Sequence, residues 1–433
     1  MADLRLVEVV PWAPHPSAAP QCAREGVALV TAANGTRTCV GGWQLVYEGL
    51  TQGGAYAVRV PVQAEGLAHV RDSLQCTAHW GPTGAADPRG TGPWEYLLLT
   101  RGADGALAFE RALAVPPDAT GLTLRFTFRW ATAGRALWGQ PQIAPTTVDA
   151  KPTPRICVVT GNARARGGPW TVARNHAFYL RLAEGACREQ PDLILLPEVC
   201  LQWQVPGWRP GLALPCPGPE TEPFAALARE HGLYLGLGLF ERDGDAVFNT
   251  LALFDPRGVV VGKYRKVHLA VLGESDSGIR PGDDFPVWDT DLGRIGANIC
   301  MDTSAAESSR LVGLGGADYL LLPIMGDHRA DRWTIGPPIF NEGRWLAIQR
   351  THAMDAQLTM VIARNEAQGS CVIDRKGEIL AYNEGDRDYV VADVNPDDGY
   401  RTYDDGCFCG VNWVQRRPHL YGAFTDELNY GGL

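Results

Sequence analysis

The stretch Arg294-Ile-Gly-Ala-Asn-Ile-Cys-Met-Asp302 is an apolar, strand-like run that leads directly into a cysteine, Cys300. Two other runs lead into reactive side chains: Asp192-Leu-Ile-Leu-Leu-Pro-Glu198 ends at a glutamate, and Val259-Val-Val-Gly262 precedes Lys266. Sheets of α/β proteins present functional side chains at strand ends. A thiol, a carboxylate and an ammonium supply the nucleophile, the proton carrier and the anion stabiliser of hydrolysis through a thioester.

Strand-like and helix-like segments alternate on both sides of these runs, from residue 155 to residue 395. Helical spacing of apolar residues from about 172 to 188 and from 343 to 357 lies between short buried-type strands. This order predicts an α/β domain over 155–395 in which helices cover sheet faces.

The first third of the chain has a different texture, rich in Gly, Thr and β-formers. Every second residue is apolar in two runs, which places the members of each run on one face: Leu122, Leu124, Phe126, Phe128 and Trp130 in one, and Tyr56, Val58, Val60 and Val62 in the other. Short strands at this spacing predict an all-β sandwich or jelly-roll-like domain over 1–145. A proline-rich linker over 146–154 follows it, and we expect residues 396–433 to form a C-terminal arm packed on another subunit.

Composition narrows the classes of partner. The chain has 433 residues, a formal net charge of −10 and no Lys/Arg stripe, which argues against nucleic acid as a partner. The amino terminus lacks the pattern of a secretory signal, and no apolar run approaches the ~18 residues of a membrane span. Eleven cysteines are scattered without framework spacing, so we expect reduced thiols in a cytoplasmic protein.

The order and spacing of the three runs resemble the nitrilase superfamily of carbon–nitrogen hydrolases. The resemblance covers residues from about 155 to 395 and includes four further segments: Gly273-Glu274, Arg350-Thr-His-Ala-Met-Asp-Ala-Gln357, Ala363-Arg-Asn365 and Gly377-Glu378. It implies a four-layer α-β-β-α sandwich and a Glu-Lys-Cys triad.

The same resemblance assigns roles to single residues. Cys300 is then the nucleophile, Glu198 the general base and acid, and Lys266 the cation beside the oxyanion. Glu274 corresponds to the second glutamate of the family, which positions the substrate and the base. The backbone N–H of Met301 is a second oxyanion donor.

Departures from the family pattern change which class of substrate the sequence predicts. Nitrilases commonly carry Cys-Trp-Glu, whereas this chain has Cys300-Met301-Asp302, which favours amides or N-carbamoyl compounds over nitriles. Ala306 stands where the family often has proline before Glu307. We therefore predict a cofactor-free amidase-like hydrolase of a small-molecule amide that releases ammonia or an amine. A nitrilase and an amide-forming acyltransferase remain alternatives with the same triad.

Each candidate catalytic residue also has a purely structural interpretation. Cys300 could be a packed core thiol, Glu198 a helix N-terminal acid, Lys266 a surface lysine and Glu274 a solvated loop carboxylate. His268 is expected to be packed or hydrogen-bonded rather than catalytic.

Other motifs carry less chemistry. The serines at 275, 277, 308 and 309 lack a Gly-x-Ser-x-Gly elbow. Cys407-Phe-Cys409 has no second pair at zinc spacing, so no metal site is expected. Trp43, Trp80, Trp94 and Trp130 are expected in the β core, with sugar stacking as the alternative.

Partners and assembly follow from the resemblance alone. Family members usually assemble as dimers or larger, so we expect a homo-oligomer. A protein of another class, in which residues 1–145 bind a glycan or partner and the second half is inactive, remains the non-enzymatic alternative.

Overall fold

The contact pattern divides the chain into two units: Met1–Ala150 with Gly399–Leu433, and Lys151–Asp398. The structure, a computed structural model, describes residues 4–81, 93–161, 167–271, 273–331, 339–396 and 413–426. None of the helices in these ranges combines the length and the apolar character that a membrane span requires.

The first unit consists mainly of strands. They are β1 (Arg5–Trp12), β2 (Gln21–Glu25), β3 (Ala28–Ala32), β4 (Val40–Glu48), β5 (Ala55–Glu65), the short helix α1 (Val70–Ser73), β6 (Leu74–Gly81), β7 (Trp94–Arg101), β8 (Leu107–Ala114), β9 (Gly121–Arg129), β10 (Arg135–Trp138) and β11 (Gln142–Thr146). They pair in the order β1-β4-β9-β6-β7-β8-β5-β10-β3-β2, with β11 on β5. Each pairing is antiparallel.

Alternation along β5 and β9 builds the core of this unit. Tyr56 and Val60 of β5 share one hydrophobic cluster with Leu124 and Phe128 of β9, as the period of two predicts. Trp130 departs from the prediction, because β9 ends at Arg129. The backbone of Trp130 turns to a left-handed φ of 62°, and the side chain is 50% exposed.

The described part of the C-terminal segment contacts the first unit of its own chain. Arg71 donates hydrogen bonds to the carbonyl oxygens of Trp413 at 2.6 Å and Arg416 at 2.9 Å. The rings of His69 and His419 stack with centroids 3.8 Å apart. The expectation that the arm packs on another subunit stays a prediction.

The second unit alternates strands and helices. They are β12 (Arg155–Val159), α2 (Val172–Ala186), β13 (Leu193–Leu195), α3 (Glu222–His231), β14 (Tyr234–Asp243), β15 (Ala246–Phe254), β16 (Val260–Arg265), β17 (Val287–Thr290), β18 (Gly293–Ala297), α4 (Ala306–Leu314), β19 (Tyr319–Ile324), α5 (His328–Asp331), α6 (Glu342–Ala356), β20 (Thr359–Arg364), β21 (Gln368–Ile373), β22 (Ile379–Glu384) and β23 (Tyr389–Asp393). Two six-stranded sheets result, ordered β16-β15-β14-β13-β12-β23 and β17-β18-β19-β20-β21-β22.

The two faces of the first sheet bury different partners. Ile156 and Val158 of β12 belong to a core that also contains Leu320 and Met360 of the second sheet. Their neighbours Cys157 and Val159 pack instead with residues of α2 and α3. The period of two along a strand explains this division, since successive side chains point to opposite faces. The prediction of an α/β unit with helix-covered sheets is confirmed.

Candidate active site

Glu198 lies just beyond the end of β13, in a backbone shaped to hold its side chain. Val199, the next residue, has a left-handed φ of 38°. Gly238 of β14 passes so close that a Cβ atom there would lie 3.0 Å from Cα of Glu198 and would collide with the carbonyl of Pro197. The carboxylate is almost completely buried, so hydrogen bonds must satisfy it.

Three donors satisfy the Glu198 carboxylate. Its Oε1 accepts hydrogen bonds from Lys266 Nζ at 2.9 Å and from Asn249 Nδ2 at 2.8 Å. Its Oε2 accepts one from the backbone N–H of Met325 at 2.9 Å. The carboxylate is therefore held in place by a strand amide, a lysine and a backbone group, which disfavours the competing interpretation of Glu198 as a helix N-terminal acid.

Lys266 lies between two carboxylates. Its Nζ donates to Glu274 Oε2 at 2.7 Å as well as to Glu198. Glu274 is tied further by Asn249 Nδ2 at 2.6 Å and by the backbone N–H of Ala270 at 2.8 Å. Lys266 is 1% exposed, which excludes the surface-lysine reading.

These contacts determine the charges. Burial by itself lowers the pKa of Lys266, but the neighbouring Glu198, Cys300 and Glu274 outweigh it and raise the pKa above its ordinary value. Burial raises the pKa of Glu274, yet the charge and hydrogen bond of Lys266 bring it below its ordinary value. The site therefore contains an ammonium and an ionised Glu274 at neutral pH.

Cys300 begins a single turn of 3-10 helix, Cys300–Ser304, after β18. Its φ of 46° is left-handed, an uncommon conformation for a residue with a side chain. Its Sγ donates to the carbonyl oxygen of Gly326 at 3.5 Å. Burial and the negative charge of Glu198 raise the pKa of the thiol to about 12, although Lys266 acts in the opposite direction. The resting sulfur is therefore a thiol rather than a thiolate.

One cavity of about 1000 Å³ contains all the predicted side chains. Its wall includes Glu198, Lys266, Glu274, Cys300 and Met301. The structure thus brings together residues that lie far apart along the chain. The catalytic roles of these residues, including that of the Met301 N–H, remain predictions.

A network that the sequence analysis missed supports the turn at Cys300. Asp302 is fully buried, and its Oδ2 accepts hydrogen bonds from the Ile299 N–H at 2.8 Å and the Tyr264 hydroxyl at 2.7 Å. Its Oδ1 accepts from the backbone N–H of His268 and lies 2.9 Å from His268 Nδ1. His268 is therefore a hydrogen-bonded residue, as expected.

Asn249 was also missed, although it left a signal. It is a fully buried polar residue in the apolar strand β15 and donates to both carboxylates. A buried amide within an apolar strand requires a polar partner. That requirement alone marks the position as unusual.

The structure also shows where several of the other serines and tryptophans singled out in the sequence lie. Ser308 is fully buried and its Oγ lies 3.2 Å from His268 Nδ1, while Ser309 donates to Asn298. Trp43 and Trp80 are buried in the β core, as expected. Cys407 and Cys409 lie outside the described residues. Within the described ranges, no three His, Cys, Asp or Glu side chains are grouped to hold a metal ion.

Comparison with known proteins adds to this geometry. Residues 156–403 match the carbon–nitrogen hydrolase family. The chain belongs to the carbon–nitrogen hydrolase family. It is an enzyme of the nitrilase superfamily, and the family match does not extend to the first 150 residues.

Relatives of this carbon–nitrogen hydrolase include the omega-amidase NIT2 of Homo sapiens, 29% identical over 48% of this chain and 79% of the relative. A citrullinase of Francisella tularensis is 29% identical over 48% of this chain and 72% of its own length. Among solved structures, an amidase from Nesterenkonia sp. aligns with a TM-score of 0.50 at 20% identity, covering 64% of this chain and 98% of that one. The structural likeness supports the fold alone.

Proposed function

We propose that this enzyme hydrolyses the carbon–nitrogen bond of a small non-peptide amide or N-carbamoyl compound through a thioester on Cys300. The observation that carries the proposal is the buried contact of Lys266 with both Glu198 and Glu274 in the wall of the cavity that also contains Cys300. The names of the relatives, an omega-amidase and a citrullinase, are consistent with this class of bond.

The hydrogen-bond inventory indicates which atom of Glu198 accepts the thiol proton. Oε1 already accepts two hydrogen bonds, whereas Oε2 accepts one, from Met325, among the described residues. A carboxylate oxygen has two lone pairs, so Oε2 has one left. Since the resting sulfur is a thiol, transfer of its proton to Oε2 must accompany attack on the amide carbon.

Lys266 has one donor left for the oxyanion. An ammonium has three N–H groups, and two of them donate to Glu198 and Glu274. The third can stabilise the negative oxygen that forms when sulfur attacks, together with the N–H of Met301. Loss of one such donor raises a barrier by roughly 3–4 kcal/mol.

Glu198 also carries the proton in each of the remaining steps. Collapse of the tetrahedral intermediate breaks the carbon–nitrogen bond, and the departing nitrogen takes the proton from Glu198, leaving a thioester. Water then attacks the thioester and gives a proton to Glu198. The second collapse breaks the carbon–sulfur bond, the sulfur regains the proton, and the acid is released.

Ammonia release from a panel of amides, N-carbamoyl compounds and nitriles tests the proposal. Cys300→Ala is expected to reduce release from amides to the uncatalysed level, whereas Cys22→Ala, a half-buried thiol of the first unit, is expected to retain full activity. Full activity of Cys300→Ala would refute the thioester route. Release from nitriles alone, or amide formation when an amine is added, would instead favour the nitrilase or acyltransferase alternatives.

A further inference from the structure

Arg209 places a second cation in the wall of the active-site cavity, apart from Lys266. It begins a short 3-10 helix, Arg209–Leu212, and its side chain lines the cavity with Glu274 and Cys300. Its Nη1 donates to the carbonyl oxygen of Gly273, the residue before Glu274. A Cβ atom at Gly273 would lie 3.3 Å from that Nη1, so the absence of a side chain there permits the approach.

The guanidinium is held in position but is not neutralised. Its Cζ lies 5.9 Å from the centroid of the Phe240 ring, a second contact that restrains it. In the part of the chain that the structure describes, no carboxylate lies within 4.0 Å of Arg209, whereas Lys266 pairs with two. A half-buried guanidinium has five N–H donors, and one donor to Gly273 leaves several for a ligand.

The other charged groups of the cavity wall form no ion pair with Arg209 among the described residues. The contacting set of Glu198, Lys266 and Glu274 is internally hydrogen-bonded. Arg364 adds a further positive charge, with its Nη1 donating to the carbonyl of Gln368 at 2.9 Å, and Glu366 is the remaining carboxylate of the wall. His328 also lines the cavity.

We propose that Arg209 is a specificity-determining residue that binds a carboxylate carried by the substrate, an inference that rests on the proposed function. The substrate class is then an amide or N-carbamoyl compound with an acid group away from the scissile bond. A guanidinium matches a carboxylate with two parallel hydrogen bonds, so Arg209 would orient the amide relative to Cys300. The arginine acts on recognition and takes no part in the bond-breaking steps.

Matched pairs of amides test this inference. Succinamate is compared with butyramide, and glutaramate with valeramide, since each pair differs by replacement of a carboxylate with a methyl group. The kcat/KM ratio within each pair is measured for the wild type, Arg209→Gln, Arg209→Lys and Arg229→Gln. Arg229 is an exposed arginine of α3 paired with Glu222, and its replacement is the matched control.

The wild type is expected to prefer the acid member of a pair, and Arg209→Gln to lower that preference roughly 10- to 100-fold. Arg209→Lys should keep an intermediate preference, because it retains charge without the planar fork, and Arg229→Gln should not change it. An unchanged ratio in Arg209→Gln with a wild-type melting temperature, or a wild type without preference for the acid, would overturn the inference while leaving amide hydrolysis intact. Failure of the wild type on every amide would remove the proposed function, and the inference with it.

Discussion

The hydroxyl of Tyr264 donates a 2.7 Å hydrogen bond to the fully buried carboxylate of Asp302, two residues beyond the proposed nucleophile. The same oxygen of Asp302 accepts the Ile299 N–H. The end of β16 and the turn at Cys300 are thereby joined through a single carboxylate. This carboxylate therefore fixes the end of β16 relative to the turn that follows β18, and both lead into the cavity.

Replacement of Tyr264 by Phe is expected to lower the free energy of unfolding by about 1.5–3 kcal/mol, because a buried charged acceptor loses a partner. We also expect kcat to fall, since the turn at Cys300 loses a support. Urea unfolding measures the first effect and initial rates the second. Tyr389→Phe, whose hydroxyl forms no hydrogen bond in the described part of the protein, should stay within about 0.5 kcal/mol of wild type; equal losses in the two variants would contradict the role of Asp302.

Acid is expected to destabilise the enzyme through Glu274. Its folded-state pKa is lower than its ordinary value of 4.5, so the unfolded chain binds its proton first as pH falls. The stabilisation is fully present above pH 4.5 and is lost as the pH falls through the folded-state pKa.

Glu274→Gln should therefore weaken the fold at pH 7 and flatten the loss of stability below pH 4.5. Melting temperatures between pH 7 and pH 3 measure this, with the exposed Glu184→Gln as control. A profile for Glu274→Gln parallel to that of the wild type would show that the carboxylate contributes nothing to acid sensitivity.

The thiol of Cys300 is expected to react slowly with iodoacetamide near neutral pH, and its reaction rate should keep rising as the pH is made more alkaline. The reason is that its pKa is raised to about 12. Glu198→Gln should shift this profile to lower pH, since the variant removes the negative charge that disfavours the thiolate. Peptide mass spectrometry assigns the modified residue, and Cys300→Ser provides the background. A reaction rate that levels off near pH 7 in the wild type would mean that the resting sulfur is already a thiolate.

Gly238→Ala tests the close packing behind Glu198. The added methyl group would collide with the carbonyl of Pro197, so we expect a loss of about 1–3 kcal/mol in stability and a drop in kcat as Glu198 is displaced. Gly81→Ala is the control, because a Cβ atom there meets nothing within 4 Å. Wild-type kcat in Gly238→Ala would show that the position of Glu198 tolerates this shift.

The sequence predicted which residues line the cavity better than it predicted the residues that hold them in place. Glu198, Lys266 and Cys300 follow apolar runs, and that pattern is visible in a single chain. Asp302 and Asn249 were missed because their importance lies in contacts with residues that are remote in the chain. A lone acid after a cysteine, or an asparagine in a strand, has many ordinary explanations until its partners are known.

The same distinction holds for the β unit. Alternation predicted the buried faces of β5 and β9, because the side-chain period of a strand is local. It failed at Trp130, where the chain turns, and it could not show that the described C-terminal segment packs on Arg71.

The sequence by itself determined which functional groups this protein brings to its site and which strand faces are apolar, since both depend on residue type and short-range spacing. The tertiary structure alone decided that Lys266 shares two carboxylates, that the thiol of Cys300 is protonated at rest, and that Arg209 faces the same cavity. These properties depend on distance and burial. Strand pairing sets both, because it brings residues from separate parts of the chain into a volume that excludes most water.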